Sequence, residues 1–356
     1  MQQQQDLPSF DQLNIHIKRN ESLAENEELD LGENSTYIAM KSINSFLVAS
    51  YYKTLVVVQD EKILFKGKPT DDPNFEVTGA LYAAAEDCYF LTSFQQKRVY
   101  KKAIDGQEPE VFLDGHAVGW MNGRAPKYSL KNNALVMDHN QKNLLIVSAQ
   151  DPSKRIEINQ DLTDNIKDFK IYGKDENKVA ALTYDGWVLL YQYDIQAGTG
   201  EIVGRHRLDI LNNQDRKEEG LSLCIGPGGE HILVHLRDYK NIFGAKASRF
   251  FVLKINPESA DLLQTSKVDI YAQNLKQFYC VDCLGHPDGH LIFIALSDRD
   301  FVCTLDYNCE TGELSEMDHL RRDYQETFPK AVVKFGNVFY SVGHHAKILE
   351  IKYYNE

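Results

Sequence analysis

"IYGKDENKVAALTYDGWVLLYQYDIQAGTGEI", residues 171–202, and "CLGHPDGHLIFIALSDRDFVCTLDYNCETGEL", residues 283–314, align without a gap. Gly173 falls on Gly285, Asp194 on Asp306, and Thr199-Gly200-Glu201-Ile202 on Thr311-Gly312-Glu313-Leu314. A third copy lies between them. "CIGPGGEHILVHL" (224–236) matches 283–295, with Cys224 on Cys283 and His231 on His290, and "FFVLKINPESADLL" (250–263) resumes it after an insertion. A repeat at this period means units that bury their apolar faces only against one another.

Each unit reads as short strands separated by tight turns. β-Branched and aromatic runs such as "HLIFIAL", "FVCTLDY" and "FFVLKI" end in clusters of Gly, Asp, Asn and Pro. Weaker copies extend the pattern at 35–66, 75–113 and 128–159. The last segment, "AVVKFGNVFYSVGHHAKILEIKYY" (331–354), supplies only three strands. The missing fourth is available in "QLNIHIKR" (12–19), where Leu13, Ile15 and Ile17 alternate as in a half-buried strand. The expectation is an all-β chain: a single β-propeller of seven four-stranded blades over 12–356, closed by the N-terminal strand 12–19 pairing with the C-terminal blade. Residues 1–11, with their run of glutamines, are expected to be a disordered tail.

Cys280 and Cys283 stand in Cys-x-x-Cys spacing with His286 and His290 close behind, which raises the question of zinc. On one extended segment, an odd offset sends two side chains to opposite faces. The unit at 224 keeps one Cys and one His but no second Cys, and the unit at 171 has neither. The expectation is therefore no metal and no cofactor, the cysteines serving as small buried hydrophobes.

The composition bounds function further. Of 356 residues, 43% are hydrophobic and 26% charged, a globular balance. Six cysteines, with no secretory leader in "MQQQQDLPSF", imply reduced thiols and a cytoplasmic or nuclear location. The sequons at Asn20 and Asn34 would matter only on a secretory route. A net charge of −13 argues against anionic membrane and against nucleic acid as partners.

At "YDGWVLLYQYDIQAGTGEI" the units resemble WD-repeat propellers. Asp185-Gly186 stands where that family has Asp-Gly before its third strand, and Tyr193-Asp194 stands at its Trp-Asp dipeptide. Equivalent pairs are Ile104-Asp105, Ile158-Asn159, Ile255-Asn256 and Leu305-Asp306, and Gly115-His116 is similar to the Gly-His that opens a blade. The resemblance implies a non-enzymatic protein–protein interaction scaffold within a larger assembly. "HPDGHLIFIALSDRDFVCTLDYNCETGEL" also resembles blades of lactonase-type propellers, which implies the alternative: a hydrolase working at the channel mouth, with Asp185, Asp298, Arg299, Asp300, His344 and His345 as candidate groups.

The connections between second and third strands open on one face of such a ring. Assigned from the sequence, they carry more basic than acidic residues, against the sign of the whole chain. The candidate partner-binding residues are Tyr52, Arg98, Arg155, Trp187, Arg237, Tyr239, Arg249 and Arg299, with Trp120 on a neighbouring connection. Arg offers planar two-point hydrogen bonds to carboxylate or phosphate, and the aromatics offer flat apolar area. The expected occupant is an acidic or phosphorylated segment of a protein partner.

Overall fold

The computed structural model describes residues 13–19, 35–42, 44–50, 54–60, 62–67, 75–103, 108–119, 125–159, 161, 164–210, 212, 217–238, 246–272, 278–285, 289–297, 301–321, 331–335, 338–342 and 348–355. The Gln-rich segment 1–11 lies outside them. After β1 (Leu13–Arg19), the first sheet runs β2 (Ser35–Ser42), β3 (Ser45–Ser50), β4 (Leu55–Gln59), β5 (Lys62–Gly67). The second is β6 (Gly79–Ala83), β7 (Cys88–Ser93), β8 (Arg98–Ala103), β9 (Glu110–Asp114). The third is β10 (Lys127–Ser129), β11 (Ala134–His139), β12 (Asn143–Ser148), β13 (Arg155–Ile158). The fourth is β14 (Ile166–Tyr172), β15 (Lys178–Thr183), β16 (Trp187–Asp194), β17 (Thr199–Arg207). The fifth is β18 (Glu218–Ile225), β19 (His231–Asp238), β20 (Lys246–Ile255), β21 (Leu262–Ala272). The sixth is β22 (Phe278–Gly285), β23 (His290–Ser297), β24 (Phe301–Asn308), β25 (Leu314–Arg321). The last joins β26 (Ala331–Phe335), β27 (Val338–Val342) and β28 (Ile348–Asn355) to β1, so the described residues form seven four-stranded sheets.

Every ladder is antiparallel, and β1 pairs with β28 from Leu13↔Asn355 to Arg19↔Leu349. The first strands of successive sheets adjoin from β2 through β22, and β26 lies against β2. The ring therefore closes through a strand contributed by the opposite end of the chain, as the alternation in 12–19 implies.

Burial explains which strand lies where. The second strands are apolar runs without alternation: Cys88–Ser93 is buried throughout, as is Val179–Thr183. The fourth strands alternate, as in Lys62–Gly67 and Arg155–Ile158, because one face meets a neighbour and the other meets water. The core is not one body but a series of seams. One cluster joins Leu47 and Val57 of the first sheet to Tyr89 and Leu91 of the second, and another joins Ile146 of the third to Phe169 and Tyr191 of the fourth. At the next seam, Gly220 donates its N–H to Tyr184 O at 2.9 Å; a Cβ there would lie 2.2 Å from Thr183 O. Only glycine permits that approach.

In five sheets the register of the third strand on the fourth slips at an equivalent place: Val57/Val58, Val99/Tyr100, Leu190/Tyr191, Val252/Leu253 and Thr304/Leu305. A bulge at each point adds local twist, which a blade needs to fan outward. Another bulge corrects the sequence argument about the cysteines. Between Cys280 and Asp282 the register shifts, so Cys280 and Cys283 stand opposite Ala295 and Phe293, two positions apart on β23. The parity that sent them to opposite faces is broken there. Cys283 is buried in a core cluster with Phe293 and Leu305, and His290 Nδ1 bonds the Asp306 carboxylate at 2.8 and 3.0 Å. His286 lies outside the described residues.

Candidate interaction face

Turns divide between two ends of the ring. Tyr184 N–H donates to Asn165 O and Ile166 N–H to Gln141 O, so connections between second and third strands share an end with the segments leading into each sheet. We call this the upper face. At the lower face, Ala149 N–H donates to Asn133 O, joining first–second to third–fourth connections.

This assignment moves one expected residue. In the third sheet the second and third strands are joined by Asn140-Gln141-Lys142, a tight turn with Asn140 and Gln141 at φ 52° and 64°. The longer "AQDPSK" connection, taken from the sequence as the upper loop, joins the third and fourth strands instead. Arg155 therefore begins an outer strand at the lower end, exposed, and is not an upper-rim residue.

Arg98 does stand on the upper face, its Nε 3.0 Å from Asp114 Oδ1. The Arg98 guanidinium holds the Asp114 carboxyl below the usual carboxylate range. Arg237 grips Glu219 through Nε and Nη2. Arg249 is a second correction. The insertion after β19 continues the hairpin instead of ending it, so Arg249 falls inside β20, only 5% exposed. Its Nη1 lies 2.6 Å from Glu218 Oε2, and its guanidinium sits 5.0 Å from the Phe251 ring. It is a core ion pair and not a docking group. Tyr52, Trp120, Tyr239 and Arg299 lie outside the described residues, as do Asp298, Asp300, His344 and His345.

The fourth sheet carries the densest described part of this face. Thr183 Oγ1 bonds Asp185 Oδ1 at 2.5 Å and accepts the Trp187 N–H at 3.0 Å. Asp185 N–H donates to Asp164 Oδ2. Burial pushes the Asp164 carboxyl above its ordinary value, and its link to the Asp185 side chain adds to the rise. Two aspartates thus share a site where one proton relieves their repulsion. Beside them Trp187 is half-buried, with the exposed Arg207 guanidinium 5.7 Å from its ring, and Lys167 Nζ lies 4.6 Å from the Tyr184 ring. Sequence reasoning missed Arg207 and Lys167. Arg207 was findable in principle, since the register places it opposite Trp187, but that register runs through a bulge.

In the third sheet, His139 Nδ1 meets Glu157 Oε1 at 2.8 Å, and the His116 ring lies tilted by 56° against that of His139, centroids 4.9 Å apart. His116 belongs to the Gly-His pair noted in the sequence. Burial, and then His139, lower its pKa.

No family model matches the chain, and no curated protein matches it either. Solved structures do. Virginiamycin B lyase from Staphylococcus aureus is 10% identical over 96% of this chain and 99% of its own, with a TM-score of 0.58. The WD40 β-propeller domain of Doa1 is 13% identical over 91% and 93%, with a TM-score of 0.55. The β-propeller domain of Myceliophteria thermophila Cps50 (Swd1) is 10% identical over 96% and 99%, with a TM-score of 0.55. At such identities the likeness is one of fold. The chain is a β-propeller similar to WD40 domains, and to a lyase built on the same ring. Fold shared this widely does not choose between scaffold and enzyme.

Proposed function

We propose that the protein is a non-enzymatic interaction platform, a subunit of a larger assembly, that takes an acidic or phosphorylated segment of a protein partner on its upper face. The observation that carries this reading is Trp187 with Arg207 across it. A half-buried indole capped by an exposed guanidinium offers flat apolar area and planar hydrogen bonding at one point. Lys167 on Tyr184 repeats the arrangement nearby. The WD40 neighbours support a scaffold at the level of fold. The buried free thiol of Cys88 is consistent with a reducing cytoplasmic or nuclear setting.

The test is titration of a fluorescent phosphoserine-containing acidic peptide against the protein at two salt concentrations. Replacing Trp187 with Ala and Arg207 with Glu should remove binding and its salt dependence. Charge reversal of Lys131 and Lys154, exposed on the lower face, should leave both unchanged. If the two pairs of substitutions act alike, the upper face is not the docking surface. Turnover of a lactone panel would instead favour the hydrolase alternative.

A further inference from the structure

Trp187 stands on a chain of hydrogen bonds that ends in two carboxyl groups. Its N–H donates to Thr183 Oγ1 at 3.0 Å, Thr183 Oγ1 bonds Asp185 Oδ1 at 2.5 Å, and Asp185 N–H donates to Asp164 Oδ2. Leu208 N–H holds the turn from the other side, on Gly186 O at 3.0 Å, which brings the end of β17 alongside. Asp164 and Asp185 are both half-buried, and their side chains also meet. A carboxylate only accepts hydrogen bonds, so two carboxyl groups in contact are most stable with one proton between them.

Other charges approach the pair from each neighbouring element. Lys167 of β14 reaches the Tyr184 hydroxyl at 3.2 Å, and Arg207 of β17 lies over Trp187. Asp161 precedes the pair on the connection into β14, and Asp209 follows β17; both are exposed. On β18, Glu218 and Glu219 are paired with Arg249 and Arg237. His206 of β17 bonds the Leu262 backbone in the next sheet, and burial lowers its pKa. Gln141, which meets Asn165 from the third sheet, is neutral. Lys167 and Arg207 are thus outnumbered by Asp161, Asp164, Asp185 and Asp209 where an acidic segment would lie.

We propose that docking on this face is proton-linked: an acidic segment lying across Trp187 and Arg207 makes the Asp164–Asp185 pair take up one proton, so that binding tightens as pH falls. This regulation rests on the docking reading above. Burial already raises the Asp164 carboxyl above its ordinary value, and the Asp185 side chain adds to the rise. An anion arriving overhead favours the protonated form further, and by linkage the protonated pair favours the anion equally.

The test is fluorescence anisotropy of a peptide whose only charges are cysteic acid sulfonates, titrated with the full chain from pH 8 to 4.5 at constant ionic strength. Sulfonates stay charged throughout, whereas phosphoserine itself loses charge near pH ~6. Wild-type affinity should rise about fivefold over that range, the effect of removing one unit charge a few ångströms away. Asp164→Asn should bind about fivefold tighter than wild type at pH 8, match it at pH 4.5 and lose most of the pH dependence. Any part due to histidines such as His206 persists in both proteins and cancels in the comparison. Wild-type affinity that is level across the range, or a slope that Asp164→Asn keeps, overturns the proton linkage and leaves the docking surface standing; the first result needs no variant to be observed. A peptide that binds at no pH overturns the docking reading, and the proton linkage with it.

Discussion

The two ends of the ring use their polar side chains differently. At the lower face, side chains reach from sheet to sheet. Lys41 of the first bonds Asp87 of the second at 2.6 Å; Glu86 of the second takes Asn133 Nδ2 of the third at 2.8 Å. Glu176 of the fourth takes the Lys131 N–H and Ser129 Oγ of the third. At the upper face, the described ion pairs stay within one sheet: Arg98 with Asp114, Arg237 with Glu219, Arg249 with Glu218, His139 with Glu157. Bonds that cross a seam hold blades in place; the upper face has some, such as Gly220 N–H to Tyr184 O and Asn165 Nδ2 to Gln141 Oε1, but its described ion pairs lie inside single blades. The lower face reads as fastening and the upper face as display.

That contrast breaks first at the buried pair. Arg249 and Glu218 have side chains 6% and 1% exposed, so neither charge has water to fall back on. Glu218→Ala would remove the carboxylate facing a buried guanidinium and should cost about 3–5 kcal/mol in urea unfolding. A loss under about 1 kcal/mol would mean that the pair is solvated and belongs with the display surface.

The lower-face fastening should come next. Glu176→Ala removes the acceptor for Lys131 N–H and Ser129 Oγ across a seam, and should cost about 1–2 kcal/mol. Urea unfolding measures it. The comparison fails if the loss is no larger than that from Asp114→Ala at the upper face.

Asp164 provides a pH-dependent test. Its folded pKa is raised, so the protonated form is favoured in the native state. The stability this contributes is fully present below the unfolded carboxylate range and is lost as pH rises through the folded value. Asp164→Asn keeps an acceptor for the Asp185 N–H while removing the charge. The variant should therefore gain on the wild type as pH rises through that window, and be level with it in acid. The group is partly exposed and screened, so the gain at neutral pH should stay below about 1 kcal/mol. Melting curves from pH 3 to 8 check it; a constant difference across that range would mean Asp164 does not titrate with the fold.

How much of this was legible differs sharply between backbone and side chains. The blades repeat, so three copies in one chain revealed the strand pattern, the seven-fold count and the closing strand 12–19. Partners of charged residues were not legible, because Arg98 and Asp114 are 16 residues apart, Arg237 and Glu219 18, and Arg249 and Glu218 31. Such pairs depend on register, and register depends on bulges that leave no mark in composition. Arg249 looked like the end of a loop because the insertion before it hides the start of β20. Arg155 was misplaced because a three-residue Asn-Gln-Lys turn is less conspicuous than "AQDPSK". The Cys280–Cys283 parity failed for the same reason: one extra residue on β22.

The smallest effect is expected at Arg98, and it is the most informative about display. Both members of its pair with Asp114 are open to water, at 36% and 63% side-chain exposure. An ion pair there gains little over hydration and is screened by salt. Arg98→Glu should therefore leave the melting midpoint unmoved within error, even with two carboxylates facing each other. If Arg98 belongs to the display surface, the same change should weaken binding of the acidic peptide and reduce its dependence on salt, because it removes a cation from the rim without disturbing a seam. An altered midpoint would instead make the Arg98–Asp114 pair a fastening. An unaltered midpoint with unaltered binding would confine the docking surface to the fourth sheet, around Trp187 and Arg207.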